Sequence, residues 1–293
     1  MGTLVSKVSV IIPSHNRART IRRAIDSVLA QLDIDFELIV VDDGSNDGTC
    51  DIVSTINDSR ITLIKNAQRL GGAGARNVGI RAAAGDIIAF QDSDDEWLTQ
   101  KLQIQLDLLQ QDPNLSACYC GFIKLSADRV ERFPGNFSAL HDETTFTQLM
   151  VENLISTQTF LAKKDALLKI GLFDENLPKL QDWDLVLRFS EKFKIGFIAD
   201  PLVIVYDTPG NLSSFKKNEI FAREAILKKW IGHPQFTRSM EAWHCYVISR
   251  LAMRAGEREK ARAFAQQASF LQPSNMRYRL ALLQTLFCFK TPA

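Results

Sequence analysis

No run of about 18 apolar residues occurs in this sequence, so no stretch of it has the length to span a bilayer as a helix. The apolar run Val8 to Ile12 is far too short for that. The opening stretch, MGTLVSKVSVIIPSHNR, lacks a charged segment ahead of a long apolar core and does not read as a secretory signal. An excess of one charge is missing too. Thirty-five Lys and Arg stand against 34 Asp and Glu, which argues against a basic field for nucleic acid and against an acidic tail. Cysteines at metal-site or disulfide-framework spacing are lacking. The five present (Cys50, Cys118, Cys120, Cys245, Cys288) are odd in number and scattered, and the pair Cys118 and Cys120 has no second pair at zinc-finger spacing. They are expected as free thiols in a reducing compartment, hence a cytoplasmic protein. Histidines are sparse as well: His15, His141, His233 and His244 are too dispersed to define a site.

What is present is ample core material, 46% hydrophobic against 24% charged, enough for one large domain or two modest ones in 293 residues. β-rich runs alternate with helical patterns near the start. KVSVIIP reads as a strand, and RARTIRRAIDSVLAQ places Ile21, Ile25, Val28 and Leu29 at helical spacing. FELIVVDDGS is the next strand, DGTCDIVSTIND a helix, RITLIKN a strand, GGAGARNVGIRAAAG a loop followed by a helix, and DIIAFQ a strand. This alternation predicts an α/β fold, a mainly parallel sheet with helices on both faces. Ligands bind such sheets at the carboxyl ends of the strands. Pro13, Asp42–Asp43 and Asp92–Asp95 each fall just past a strand end and so share one rim. From about residue 216 the pattern turns all-helical. Gly256 and a later Pro273 bracket a helix with Ala261, Phe264, Ala265 and Ala268 on one face. This is similar to a tetratricopeptide-type pair, although one unit is not an array.

Three constellations carry chemistry. In IIAFQDSDDEW, Asp92, Asp94 and Asp95 crowd like charges that need a positive partner. An Asp-x-Asp pair of hard oxygens suits Mg²⁺ or Mn²⁺; a solvated acidic turn ahead of a helix is the plainer reading. In VVDDGSNDGT, Asp43 at a strand end could accept hydrogen bonds from a base or ribose, or merely belong to a turn. In LGGAGARNVGIRAAAGD, Gly71, Gly72 and Gly74 permit close backbone approach, and Arg76 and Asn77 beside a helix start suit phosphate. The segment fails as a dinucleotide fingerprint, since no third glycine falls where one is required.

In this order, VSVIIPSHNRARTIRRAIDSVLAQ, FELIVVDDGSNDGT, GGAGARNVGIRAAAGDIIAFQDSDDEW, GLFDENL and QDWDLVLR resemble the family 2 glycosyltransferases over about residues 7 to 215. The resemblance implies a GT-A fold at 1–215, with a nucleotide-sugar half at about 1–97 and an acceptor half at about 98–215, followed by a helical region at 216–293. It implies inverting transfer from a nucleotide-diphosphate sugar, with UDP as the expected nucleotide. The acceptor would be a hydroxyl on a saccharide, a lipid-linked sugar or another glycoconjugate of the cell envelope. Carried over position by position, Pro13, Asn16, Asp43, Arg76 and Asp92 match nucleotide contacts. Asp92, Asp94 and Asp95 match the acids around a divalent Mn²⁺ or Mg²⁺. Asp182 matches the general base, a role that requires a carboxylate on the acceptor side to take the hydroxyl proton.

Asp182 as a helix cap and Asp184 as a rival base stay open, although Arg188 at i+4 is placed to pair with Asp184. Trp183 reads equally as core or as a platform for an acceptor sugar. Two departures from the family pattern stand out. Gln181 replaces a usual Glu, and the region of Asp207 and Thr208 has no His to complete a metal shell, leaving Asp207 or water for the task. The helix FKKNEIFAREAILKKWIG, with lysines beside Phe and Trp, either lies on an anionic membrane surface as a peripheral contact or packs on the rest of the chain. Two other functions remain: a sugar-phosphate nucleotidyltransferase, which needs a Gly-rich loop where this chain has PSHNRART, and a non-catalytic interaction protein working through its C-terminal helices.

Overall fold

The computed structural model describes residues 7–133, 143–144, 146–207 and 216–287; His141, Thr208 and Cys288 lie outside them. Among the described residues, one mixed sheet holds the first compact unit together. Its strands run in the order β3 (Ile61–Lys65), β2 (Phe36–Asp42), β1 (Val8–Ser14), β4 (Ile87–Phe90), β9 (Phe160–Lys163), β6 (Leu115–Ser126), β10 (Lys194–Tyr206), β5 (Glu96–Trp97). β7 (Arg129–Phe133) adds to β6, and β8 (Glu143–Thr144) to β10.

The four strands nearest the N-terminus are parallel, as the alternation predicts. Beyond them the sheet is mixed: β9 runs antiparallel to both β4 and β6, while β10 runs parallel to β6 through several register shifts. β1 lies between β2 and β4, so the chain reverses its direction of winding there. Open α/β sheets take their ligands at such a switch point, beyond the carboxyl ends of the strands.

β1 is buried on both faces, which is why Val8 to Ile12 is apolar apart from the buried Ser9. Val8, Val10 and Ile12 pack against Ile21, Ala24, Ile25 and Val28 of α1 (Ile21–Leu29). The polar side of α1 is braced by an Arg22–Asp26 pair at 2.8 Å. On the other face, α3 (Gly71–Ala82) lies so close to β1 that a Cβ on Gly79 would stand 2.5 Å from Ile11 Cγ2.

The glycine run differs from its sequence reading. GGAGARN is helix from Gly71 onward, with no loop before Arg76. Gly71 enters the helix at φ +78°, a left-handed value that glycine adopts without strain.

A second compact unit comprises Thr147–Glu152, Asn176–Leu180 and Gly210–Ala293. Its core gathers Ile220 and Leu227 of α8 (Lys216–Trp230) with Cys245, Ile248 and Ala252 of α9 (Arg238–Arg254) and Ala261 and Ala268 of α10 (Arg258–Leu271). Gly256 turns the chain between α9 and α10 at φ +79°. Among the described residues no helix is long and apolar enough to cross a membrane. Cys50, Cys118, Cys120 and Cys245 are all free.

Candidate active site

β4 ends at Phe90, and the chain then turns so that Asp95 N–H donates to Asp92 O at 3.2 Å. This turn carries the acid cluster, and its positive partners are arginines. Arg76 Nη2 donates to Asp92 Oδ1 at 2.6 Å. Arg17 Nη2 stands 3.9 Å from Asp94 Oδ2, and Arg23 Nη2 donates to the backbone oxygen of Asp94. Arg23 also stacks 3.7 Å above the ring centre of Tyr206.

The three acids are not equivalent. Asp92 and Asp94 keep part of their carboxylates exposed, whereas Asp95 is buried. Asp95 Oδ2 accepts from Gln158 Nε2 at 2.9 Å, and Oδ1 from the Tyr206 backbone N–H at 3.1 Å. Burial, and after it the charges of Asp92 and Asp94, push the Asp95 carboxyl up to about 8.

Along the neighbouring rim, Asp43 faces the start of α3. Its Oδ1 accepts from Asn66 Nδ2 at 2.9 Å and Leu70 N at 2.8 Å, and its Oδ2 from Gly71 N at 2.8 Å. A carboxylate at a helix N-terminus is favoured by the exposed N–H groups there. Of its roughly four acceptor positions, three are thus taken by the protein itself. Asn16, at φ +53°, accepts from Asn46 N at 2.9 Å and donates its own N–H to Ser45 Oγ at 2.9 Å, tying the loop after β1 to the loop after β2. His15 Nδ1 lies 2.9 Å from Asp43 O, and Pro13 sits within β1 opposite Val41.

The start of α3 also meets α7 (Gln181–Ser190). A Cβ on Gly72 would stand 3.0 Å from Arg76 Nη1 and 3.5 Å from Gln181 Oε1, so the missing side chain makes room for the guanidinium. Asn77 has no part in an open pocket. It is buried, its amide donating to Phe173 O at 3.0 Å and Glu175 Oε1 at 2.8 Å while its oxygen accepts from Phe173 N.

That clamp fixes the GLFDENL segment, where Leu172 holds φ +63°. Arg188 braces the same turn from α7, donating to Ile170 O at 2.6 Å and Leu172 O at 2.7 Å. Arg188 also pairs with fully buried Asp184 at 2.7 Å. Asp184 is thereby committed to holding the turn, and Trp183 is core at 1% exposure.

Asp182 lies one residue inside the first turn of α7. Its Oδ1 accepts from Trp183 N–H at 2.8 Å. Burial raises its pKa, opposed by the Trp183 N–H, by the Asn153 side chain and by the charge of Arg76; Asp92 acts on it as a like charge. Arg76 therefore influences both the strand-tip acid and the helix acid.

Among the described residues no group of three Asp, Glu, His or Cys gathers as a metal cage. Asp207 turns to Ser126 Oγ at 3.4 Å and Lys124 Nζ at 3.9 Å. Asp92 and Asp94 are hard-oxygen groups on one turn, each with part of its side chain exposed. Such a pair fits Mg²⁺ or Mn²⁺, which keep several waters and share phosphate oxygens, and does not fit a closed tetrahedral zinc site.

The sheet thus has its switch point at β1, acids at that rim and the half-buried Asp182 carboxylate within reach of the Arg76 charge. The family model described as glycosyl transferase family 2 matches residues 9–171. The chain belongs to that family and is a glycosyltransferase, which sets aside the nucleotidyltransferase and interaction-protein readings.

Among its relatives is the Escherichia coli UDP-Glc:alpha-D-GlcNAc-diphosphoundecaprenol beta-1,3-glucosyltransferase WfgD, 45% identical over 235 residues, 67% of this chain and 92% of that one. The amylovoran biosynthesis glycosyltransferase AmsB of Erwinia amylovora is 33% identical over 204 residues, 66% of this chain and 67% of its own. The fold matches the S. aureus TarS 1–349 structure with UDP-GlcNAc at a TM-score of 0.74 and 18% identity, covering 95% of this chain and 89% of that one. The GT-A architecture expected from sequence is the architecture observed.

Sequence reasoning overlooked Arg17, Arg23, Gln158, Glu175 and Asn153. Arg17 adjoins a residue already singled out, so its role was within reach. Gln158 and Asn153 carry no local signal, because each acts on a carboxylate far away in the chain.

Proposed function

We propose that this glycosyltransferase moves glucose from UDP-glucose to a hydroxyl of a GlcNAc carried on a lipid diphosphate, with inversion at the anomeric carbon. The donor and acceptor follow the name of WfgD, which is 45% identical and almost fully spanned. A lipid-linked acceptor places the reaction at the cytoplasmic face of a membrane, with the protein in peripheral contact and no spanning helix of its own required.

In this reading Asp43, Asn16 and Pro13 form the floor for the base and ribose, and Asp92 borders the ribose side. Arg76, held by Asp92 and given room by Gly72, presents its remaining N–H groups to the diphosphate. Asp182 takes the proton of the acceptor hydroxyl as its oxygen bonds to the anomeric carbon and the bond to the diphosphate oxygen breaks. Burial keeps the Asp182 carboxyl more basic than an exposed one, which suits that role. Asp92 and Asp94 would hold a Mg²⁺ or Mn²⁺, which when bound neutralises the leaving diphosphate. Asp95, itself buried, fixes the turn through Gln158 and Tyr206.

The observation that supports the reading is that one cation serves two acids: Arg76 donates to the strand-tip Asp92 at 2.6 Å, and its charge also acts on the half-buried Asp182. The test is a thermal-shift and turnover screen across UDP-, GDP- and dTDP-sugars with and without Mn²⁺ or Mg²⁺, using a synthetic GlcNAc-diphospholipid acceptor. Metal-dependent stabilisation and transfer with UDP-glucose is the expected result. Preference for another nucleotide would overturn the donor assignment.

A further inference from the structure

We infer that the open apolar face of the helix α11 (Met276–Phe287) is a docking surface for an anionic lipid bilayer. This rests on the reading of a lipid-linked acceptor and names the surface by which the protein meets the membrane.

α11 is apolar on two sides. One side packs on the helical unit: Tyr278 and Ala281 are 5% and 4% exposed, and the Tyr278 ring centre lies 5.2 Å from that of Tyr246 in α9. The other side carries Met276 at 61% exposure, Leu280 at 53%, Leu283 at 48% and Leu286 at 47%. At about 100° per residue, Met276, Leu280 and Leu283 fall within about 60° of one another and form a stripe along the helix. Single exposed leucines are ordinary, but large apolar side chains on successive turns of one helix mark a contact surface. A helix apolar all round is buried on all sides, and here the unit's own core covers only one.

Charge identifies the second partner. By the same spacing Arg277 and Arg279, both exposed, flank the stripe on opposite sides. Residues 260–293 hold five Lys and Arg and no Asp or Glu, while residues 1–259 hold 30 against 34. The near-neutral total thus hides a basic end. Apolar side chains bordered by arginines suit an anionic bilayer surface, because the apolar groups enter the acyl boundary while the guanidinium groups stay among the phosphates. A second copy of the chain fits less well. Two-fold pairing through this stripe would set the arginines of one helix near those of the other, and α11 has no acid to receive them.

The helix that the sequence offered for a membrane surface is placed differently. In α8, the apolar side chains of Ile220, Leu227 and Trp230 are buried.

Co-sedimentation of the full chain with vesicles tests the surface, using neutral phosphatidylcholine vesicles and equimolar phosphatidylcholine–phosphatidylglycerol vesicles at low salt. Binding to the anionic vesicles is expected, about tenfold tighter than to the neutral ones and weakened by added salt. Leu280→Asn with Leu283→Asn removes the centre of the stripe, and Arg277→Gln with Arg279→Gln removes its flanks. Each pair should lose about tenfold in binding to the anionic vesicles. All four positions are exposed, so the Tm measured without vesicles should stay at the wild-type value in both variants. Turnover of UDP-glucose with a short-chain, water-soluble GlcNAc diphosphate should also be unchanged, since neither pair belongs to the active site.

Failure of the wild type to bind anionic vesicles overturns the inference, as does binding that both variants retain. A wild-type dimer in light scattering that Leu280→Asn with Leu283→Asn converts to a monomer overturns it too, because the stripe would then belong to a second copy. The functional reading fails separately. A protein that binds the vesicles but transfers nothing from UDP-glucose keeps this surface and loses the donor assignment. One that transfers in solution but ignores the vesicles loses only the surface.

Discussion

Arg76 Nη2 rests 2.6 Å from Asp92 Oδ1, and the charge of the same guanidinium acts on Asp182 against the burial that raises its pKa. One cation from the second turn of a helix thus serves two acids from separate elements. Arg76→Lys keeps the charge but loses the planar fork, so one of the two interactions must be given up. The expected result by isothermal titration calorimetry is UDP binding about tenfold weaker than wild type, with Arg76→Ala weaker still. Equal affinity in the lysine variant would mean that charge alone is used.

Asp182→Asn keeps the size of the side chain and an acceptor for Trp183 N–H. It should therefore fold and bind nucleotide as the wild type does, while kcat falls by about 10² to 10⁴. A steady-state assay paired with calorimetry separates the two effects. Wild-type turnover would return the base role to another group.

Gly79 faces Ile11 across the α3–β1 contact. In Gly79→Ala the new methyl would stand 2.5 Å from Ile11 Cγ2, so helix and strand must part or Ile11 must leave its rotamer. The gain in helix propensity is about 1 kcal/mol and is outweighed by overpacking of about 1–3 kcal/mol. Urea denaturation should give a lower midpoint. A raised midpoint would show that the contact can relax freely.

His244 is buried in the second unit, with Nε2 2.6 Å from Met150 O. Burial pushes its pKa down to about 4, against which the Met150 carbonyl acts weakly. The native state therefore resists a proton that the unfolded chain accepts near its ordinary value of about 6.5. The stability this represents is present above about 6.5 and is lost as pH falls from there towards 4. It amounts to about 3 kcal/mol at most. Tm measured across that window should fall, and His244→Gln should flatten the fall. An identical pH profile in the variant would place the acid sensitivity elsewhere.

The order of the strands and helices in the N-terminal half was plain in the sequence, because β1, β2 and β4 are buried on both faces and their apolar runs end at loop chemistry. The acid cluster was equally plain, since it is contiguous. Its partners were not: Arg23 stands 71 positions from Asp94, Gln158 63 from Asp95 and Tyr206 111 from Asp95. The glycine run misled locally. Glycines usually break helices, yet here Gly72 and Gly79 sit inside one because Arg76 and Ile11 occupy the space their side chains would need.

The sequence by itself determined the family, the α/β sheet and the identity of the acids at its rim, because these follow from contiguous patterns of apolar and charged residues. Tertiary structure alone decided that Asp95 points inward, that Asp184 is paired to Arg188 and that Asp92 is paired to Arg76. Each outcome depends on which groups, distant in the chain, share a desolvated space. Desolvation and hydrogen bonding act over a few ångströms, and no local pattern of residues encodes that proximity.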